Sequence, residues 1–188
     1  SVPRLDVILF ADDTNLFCSH DNVQDLITVF ISQVKLIEWF AANRLSLNLK
    51  KCKYMVFGRV HELDRLPLVL PKLTIYGKNI SRTYFIKFLG VVIDEHLSWS
   101  NHISTVESKL SKNIGMIARS RRYLNSIATR SLYFGFVHPY LTFGNIAWAS
   151  THRSKLLKIH NMQKRAVRII TKAHKWAHSR PLMMQNKI

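Results

Sequence analysis

The chain has 188 residues, 47% of them hydrophobic, and a net charge of +17 from 28 Lys and Arg against 11 Asp and Glu. This composition excludes full disorder and predicts one domain, or two small ones, with a buried core. No run of about 18 uncharged apolar residues exists, which excludes a transmembrane helix. The charge favours a polyanionic partner, such as nucleic acid or an acidic membrane surface.

The chain has only two cysteines, Cys18 and Cys52. This number is too small for a disulfide framework, and their spacing is not that of zinc ligands. We therefore expect two free thiols in a reducing compartment, with no disulfide partner.

Two short β-rich segments cover residues 5–10 and 14–18. Ala11, Asp12 and Asp13 lie between them, so the pattern predicts a hairpin with two carboxylates at its tip. Adjacent carboxylates repel each other, and a divalent cation that prefers oxygen ligands, such as Mg²⁺, would relieve the repulsion. For a bare Asp-Asp pair an ordinary polar turn would be the better interpretation, but the strands on both sides favour the metal site.

One long helix and further strands are predicted next. Apolar residues recur with the helical period over residues 21–43. Strands are expected at residues 54–57 and 85–93, and a tight hairpin at 73–80. A glycine inside the last of these strands, Gly90, indicates a bend or a close approach of the backbone.

Amphipathic helices replace this pattern from residue 98 onward. Their periodic apolar residues occupy 99–124, 126–137, 140–148 and 153–172. Pro139 interrupts the second of these segments, and Pro181 indicates the start of another helix. The predicted fold class is therefore α+β, with strands and a helix at residues 1–95 and an all-helical, basic part at 98–188.

Charge is distributed unevenly along the chain. Residues 1–49 contain three basic and six acidic side chains, and residues 50–107 contain nine and five. Residues 108–188 contain sixteen basic side chains and no acidic one. Such a segment repels itself unless an anion offsets its charge, so it predicts binding to a nucleic-acid backbone, with a solvated basic surface as the alternative.

Five segments resemble the reverse transcriptases of non-LTR retrotransposons, and the jockey-type elements in particular. Residues 9–14 (Leu-Phe-Ala-Asp-Asp-Thr) resemble the Ala-Asp-Asp box, and residues 45–53 resemble the Leu-x-Leu-Asn-x-x-Lys box. Residues 86–94 resemble the Phe-Leu-Gly primer-grip strand, residues 97–103 the entry to the thumb, and residues 136–148 a thumb segment. One box alone is weak evidence, whereas five in order along nearly the whole chain are specific.

The resemblance implies a partial polymerase palm, with antiparallel hairpin strands and one long helix, followed by an all-helical thumb. It implies an RNA-directed DNA polymerase whose intact form transfers nucleotides with two Mg²⁺ ions. Asp12 and Asp13 match the catalytic metal ligands, and Lys51 matches a lysine beside the leaving pyrophosphate. Gly90 would let the backbone lie close to the primer strand. The residues that match the primer grip are Phe88, Leu89 and Gly90.

The same resemblance implies the partners and the location. The expected partners are an RNA template, a DNA primer and, in the intact enzyme, dNTPs, without a membrane. The expected location is intracellular, in the nucleus at the site of integration. A non-catalytic, basic nucleic-acid-binding protein from a degenerate or domesticated element is the alternative function.

The basic helices supply candidate contacts to nucleic-acid phosphates. These side chains are Arg119, Arg121, Arg122, Lys155, Lys158, Arg165 and Arg168. Trp99, Tyr140 and Trp148 are expected in the thumb core rather than as stacking platforms. A membrane-surface protein is less well supported, because the apolar faces of the helices lack the Trp and Phe of interfacial helices.

The family's third metal aspartate, its fingers and its endonuclease have no counterpart in these 188 residues. Together with the absence of a starting Met, this predicts a C-terminal palm-and-thumb fragment of a longer polymerase. We expect the isolated fragment to be inactive, because two carboxylates hold a metal ion less tightly than three.

Overall fold

The computed structural model describes residues 6–20, 22, 25–26, 35–66, 70 and 72–188. The chain forms two compact units, Ser1–Tyr84 and Phe85–Ile188. Among the described residues, no helix is both long enough and apolar enough to cross a membrane.

The first unit contains the predicted hairpin with the two aspartates. Strand β1 (Asp6–Phe10) pairs antiparallel with strand β2 (Asp13–Phe17). Ala11, with a left-handed φ of 52°, forms the turn together with Asp12. The predicted hairpin is confirmed, but Asp13 belongs to the strand because two residues suffice to connect an antiparallel pair.

Helix α1 (Lys35–Ala42) is the main described part of the helix that is predicted over residues 21–43. The predicted start of that helix, at Asp21, lies outside the described residues. Phe40 of this helix is buried. The other buried apolar side chains among the described residues of this unit are Val56, Leu73 and Ile80.

Strand β3 is shorter than the sequence predicts. It covers Lys53–Tyr54, whereas the predicted strand spans residues 54–57. Val56 is buried without belonging to a strand, and a short helix, α2 (Val60–Leu63), follows. A short apolar run can fill a core in either an extended or an irregular conformation, which periodicity alone does not distinguish.

A tight hairpin follows, as predicted. Strand β4 (Thr74–Ile75) pairs antiparallel with β5 (Lys78–Asn79). Tyr76 and Gly77 form its turn, with φ angles of 48° and 70°. A two-residue hairpin turn of type I′ requires positive φ at both positions. Strand β6 (Ser81–Arg82) then pairs parallel with β3.

The second unit begins with another hairpin. Strand β7 (Phe85–Phe88) pairs antiparallel with β8 (Val91–Asp94). Leu89 and Gly90 form the turn, with φ angles of 44° and 91°. The prediction of a single strand over residues 85–93 is wrong, because the two positive φ angles reverse the chain. The bend expected at the glycine is confirmed.

Helices form the rest of the second unit. Their bounds are α3 (Ser100–Ser120), α4 (Ser126–Phe136), α5 (His138–Thr142), α6 (Asn145–Trp148), α7 (Arg153–Ile170) and α8 (Ser179–Gln185). Pro139 lies in the first turn of α5, where its missing N–H leaves no hydrogen bond unmade, so it opens one helix as well as closing another. The most deeply buried side chains include Leu110, Ile114, Tyr133, Val137 and Val167.

The chain is therefore α+β, with small hairpins mainly in its first part and helices mainly in its second. The boundary between the two units lies between Tyr84 and Phe85, so the β7–β8 hairpin belongs to the second unit. Within that unit it packs against α3. A two-stranded hairpin has too little surface to form a core alone, so it shares that of the helices. The identification of residues 1–95 as palm and 98–188 as thumb stays a prediction.

Candidate metal and nucleic-acid sites

Asp12 and Asp13 lie together at one end of the first hairpin, with exposed side chains. Among the residues that the structure describes, no group of three or more His, Cys, Asp or Glu side chains is placed to hold a metal ion. Oxygen donors suit Mg²⁺, which commonly binds through one or two carboxylates together with substrate phosphates. The pair therefore fits Mg²⁺ as part of a larger set of ligands.

Strand β1, which leads to this pair, exposes its apolar side chains. Val7, Ile8, Leu9 and Phe10 are consecutive, and they are between 41% and 57% exposed. A continuous apolar run is typical of a strand that is covered on both faces, whereas a strand with one wet face alternates. Strand β1 thus has the composition that is typical of an interior strand in a larger sheet.

Lys51 is an exposed residue of a turn in the first unit. The carbonyl of Asn48 closes this turn by accepting the N–H of Lys51 at 2.9 Å and that of Cys52 at 3.2 Å. An open groove next to the turn is lined by residues 46–50, Lys78 and Asn79. None of the hydrogen bonds or ion pairs in the described part of the chain joins Lys51 to either aspartate. Its place beside a leaving pyrophosphate stays a prediction.

Both cysteines are free and half-buried. Burial raises the pKa of the Cys18 and Cys52 thiols. A raised pKa lowers the fraction of thiolate, which is the nucleophilic form. The surroundings of the two thiols therefore do not activate them as nucleophiles.

The turn of the β7–β8 hairpin contacts the loop between α5 and α6. A Cβ atom placed on Gly90 would lie 2.9 Å from Cε1 of Phe143. A Cβ atom placed on Gly144 would lie 2.8 Å from Cγ2 of Val91. The two glycines therefore allow two loops to pack against each other. Phe143 takes the space that Gly90 leaves open, whereas the resemblance to the primer grip implies a primer strand there.

The three predicted primer-grip residues lie at this turn. Phe88 is half-buried at the end of β7, and Leu89 and Gly90 are exposed. Their contact with a primer stays a prediction, which now rests on the exposed surface of the turn.

Asp94, whose role the sequence analysis missed, organises the start of α3. Its Oδ1 accepts the N–H of Ser98 at 2.9 Å, and its Oδ2 accepts the N–H of Trp99 at 2.9 Å. The hydroxyl of Ser98 donates to Oδ2 at 3.2 Å. Trp99 is the N-cap of α3, so its amide is one that the helix itself leaves unpaired, and a negative charge is favourable at this end of a helix. The usual start signal places Asp at the N-cap itself, whereas Asp94 lies five residues before the N-cap Trp99, so that signal does not identify it.

His102 connects the hairpin to α3. It is buried, and its Nδ1 accepts the N–H of Val92 at 3.2 Å, so Nε2 carries the proton of the neutral ring. Nε2 is buried and has no hydrogen-bond partner among the described residues. Burial lowers the pKa of His102, and the nearby Lys109 charge lowers it further. Both effects favour the neutral form of the ring.

Among the described residues, five of the seven predicted phosphate-binding side chains make no hydrogen bond to the rest of the protein. Arg119, Arg122, Lys158 and Arg165 are exposed, and Arg121 is half-buried. Lys158 and Arg165 are seven residues apart on α7, so they lie on one face of that helix. This placement leaves their charges open to a partner.

The other two, Lys155 and Arg168, bind within the protein. The ammonium of Lys155 donates to Oγ of Ser100, and Nε of Arg168 donates to the carbonyl of Ala177 at 2.8 Å. These bonds fasten α7 to the start of α3 and to the loop after α7. Each side chain keeps further N–H donors, so a phosphate contact stays a prediction.

The aromatic side chains that are expected in the core are found there. Trp148 is 3% exposed, and its Nε1–H donates to the carbonyl of Phe143 at 2.9 Å. Trp99 and Tyr140 pack against the same core. The prediction that these three rings serve packing is confirmed.

Comparison with known proteins shows a distant relationship to the reverse transcriptases of non-LTR retroelements. The chain is 23% identical over 186 residues to the RNA-directed DNA polymerase from mobile element jockey of Drosophila funebris, which covers 97% of the chain and 19% of that protein. It is 23% identical over 194 residues to the protein of the same name from Drosophila melanogaster, which covers 100% of the chain and 20% of that protein.

A third relative belongs to another element. The chain is 25% identical over 84 residues to the putative 115 kDa protein in type-1 retrotransposable element R1DM of Drosophila melanogaster, which covers 43% of the chain and 8% of that protein. The chain thus spans about a fifth of the length of the jockey polymerases it matches. No protein-family model matches it. No solved structure matches it.

Proposed function

We propose that the chain is the C-terminal palm and thumb part of a reverse transcriptase from a non-LTR retrotransposon. The observation that carries the proposal is the Asp12-Asp13 hairpin, within a similarity to jockey polymerases that extends over 97% of the chain. The exposed apolar side chains of β1 support it, because a polymerase palm would cover that strand as part of a wider sheet. The complete enzyme would extend a DNA primer on an RNA template.

The chemistry would be nucleotidyl transfer from a dNTP. Asp12 and Asp13 would hold Mg²⁺, which when bound stabilises the charge on the transferred phosphate. Lys51 would place a positive charge beside the leaving pyrophosphate or give it a proton. Leu89 and Gly90, at the exposed hairpin turn, would hold the end of the primer.

The second unit would bind the template–primer duplex through its phosphates. Residues 108–188 contain sixteen basic side chains and no acidic one, so no carboxylate within that segment competes with phosphate. Binding of this kind releases counterions and weakens with salt, by a slope of about 0.9 in log K for each phosphate that is neutralised on duplex DNA.

Metal binding by the aspartate pair can be tested without activity. Substoichiometric Mn²⁺ should broaden the amide NMR signals of the hairpin tip, and Asp12→Asn with Asp13→Asn should abolish the broadening. Asp64→Asn, which removes one exposed carboxylate elsewhere in the first unit, is the matched control and should leave it intact. Equal broadening in the double variant would contradict the metal site.

Activity is tested by primer extension with an RNA template, dNTPs and Mg²⁺. We expect the 188 residues alone to make no templated product, because two carboxylates supply only part of the ligands that two metal ions need. Templated synthesis that is abolished by Asp12→Ala would overturn this expectation while supporting the catalytic assignment.

A non-catalytic nucleic-acid-binding protein, from a degenerate or domesticated element, is the second candidate. The concentration of basic charge in residues 108–188 favours it independently of the aspartates. The two functions differ in specificity, since a thumb should bind RNA–DNA duplexes of any sequence with a steep salt slope. A dedicated binding protein should keep its sequence discrimination as salt is raised.

The duplex-binding surface is tested with single charge removals. Arg122→Ala and Lys158→Ala should each weaken binding to an RNA–DNA hybrid and reduce its salt slope by about one phosphate contact. Lys187→Ala removes an exposed charge that is outside the predicted set and serves as the matched control. An equal loss in all three variants would show only a diffuse effect of net charge.

A further inference from the structure

The loop between α7 and α8 exposes a tryptophan. Trp176 is 77% exposed, whereas Trp148 of the same unit is 3% exposed and hydrogen-bonded within the core. Single exposed apolar side chains are common on protein surfaces, so Trp176 is informative because of the held loop and the basic residues around it. The segment around it, residues 171–180, contains basic side chains as well. They are Lys172, Lys175 and Arg180.

The backbone that carries Trp176 is held at both ends. Helix α7 ends in a Schellman motif, in which Lys172 has a left-handed φ of 56°. The N–H of Lys172 donates to the carbonyl of Ile169 at 3.2 Å, and that of Ala173 donates to the carbonyl of Arg168 at 3.0 Å.

Two further bonds fix the far side of the loop. Nε of Arg168 donates to the carbonyl of Ala177 at 2.8 Å, and the N–H of Ala177 donates to the carbonyl of His174 at 2.9 Å. A loop with these bonds presents its ring without first having to be ordered, which favours binding.

The charges around the ring define the chemistry of the partner. The Lys175 ammonium lies 5.2 Å from the centroid of the Trp176 ring, and Lys172, Lys175 and Arg180 are all exposed. A partner must therefore be anionic and offer a flat, polarisable face. Unpaired nucleotides combine a phosphate with a base whose face is free to stack, whereas the bases of a duplex already stack on each other.

We propose that Trp176 is a stacking platform for an unpaired base of single-stranded nucleic acid, with Lys172, Lys175 and Arg180 binding the adjacent phosphates. The site deepens the proposed function, because it would receive nucleotides that lie outside the template–primer duplex. A membrane surface fits less well, since the other apolar residues of segment 171–180, Ala173 and Ala177, add little apolar area to insert.

The test uses the full 188-residue chain and fluorescence anisotropy of labelled oligo(U) of about 12 nucleotides. Trp176→Ala should weaken binding about 5- to 100-fold, and Trp176→Phe should retain most of the affinity. An oligonucleotide of the same length without bases should bind the chain and Trp176→Ala equally well. Ile146→Ala, which truncates another exposed side chain of this unit, is the control and should bind like the unaltered chain.

Three results would overturn the proposal. One is unchanged oligo(U) binding by Trp176→Ala. Another is full affinity in Trp176→Leu, which would indicate apolar contact rather than stacking. A third is Trp176-dependent binding to phosphatidylserine vesicles without any effect on oligo(U). Binding of the RNA–DNA hybrid is measured in parallel, because its absence contradicts the proposed function, whereas its presence with an unchanged Trp176→Ala contradicts only the stacking site.

Discussion

Replacing Gly144 by alanine should destabilise the second unit. Gly144 precedes α6 with a left-handed φ of 62°, a conformation that costs other residues about 1–2 kcal/mol. The new Cβ would lie 2.8 Å from Cγ2 of Val91, a half-buried, β-branched side chain in β8 whose χ1 is restricted. Such overpacking costs about 1–3 kcal/mol. The free energy of unfolding should therefore fall by about 2–5 kcal/mol.

A double variant separates the two contributions. Val91→Ala removes the methyl groups that the new Cβ meets, so Gly144→Ala should cost about 1–3 kcal/mol less in that background. The cost of the backbone conformation should persist. Gly90→Ala is the matched comparison, because φ is 91° there and the neighbouring ring of Phe143 is 57% exposed and can move aside. Its loss should lie closer to the backbone cost alone.

The assay is urea unfolding followed by far-UV circular dichroism. This signal reports chiefly on the second unit, where most of the described helical residues lie. A loss below about 0.5 kcal/mol for Gly144→Ala would refute the reasoning, since that is the range of neutral surface substitutions. Simple additivity of Gly144→Ala and Val91→Ala would show that the two residues do not press on each other.

Three further variants test the second unit. Gly115→Ala, inside α3 with no atom closer than 3.8 Å to the new Cβ, should stabilise by about 1 kcal/mol in urea unfolding, and a loss would contradict the open space. Asp94→Ala should destabilise by about 2–4 kcal/mol because the amides of Ser98 and Trp99 lose a charged acceptor, with Asp94→Asn losing less. Burial lowers the pKa of His102 in the folded chain, so the unfolded chain takes up a proton there at a higher pH. This difference has no effect on the free energy of unfolding above about pH 6.5. As the pH falls below that value, it lowers the free energy of unfolding. The loss should be smaller in His102→Asn, whereas the exposed-site control His160→Asn should retain it, as measured by urea unfolding across pH.

The local elements were predictable where one pattern dominated. Short β-rich runs located the β1–β2 hairpin, and helical periods located helices α3, α4 and α7, to within a few residues. The prediction failed at residues 85–93, where a mostly apolar, β-rich segment conceals a reversal at Leu89 and Gly90. The residue types of such a segment favour a strand, but they do not specify the direction of the chain.

The candidate site likewise has features that the sequence predicts and features that it does not. The Asp12-Asp13 pair and the basic charge after residue 108 are local features that a reader of the sequence can identify. The hydrogen bonds of Arg168 to Ala177 and of Asp94 to Trp99 depend on loops whose path residue types do not specify. From the sequence alone, Arg168 is therefore predicted only as a phosphate contact. The structure also gives it a hydrogen bond to the carbonyl of Ala177.

The sequence by itself determined that this is a basic α+β chain with an acidic hairpin tip, and that it is similar to part of a reverse transcriptase. These properties follow from charge, periodicity and short motifs, which are local. Only the tertiary structure decided that Trp148 is buried in the core while Trp176 is exposed to solvent. It also decided that Phe143 packs against Gly90. Burial depends on contacts between segments that are distant along the chain, so two residues of the same type can take opposite roles.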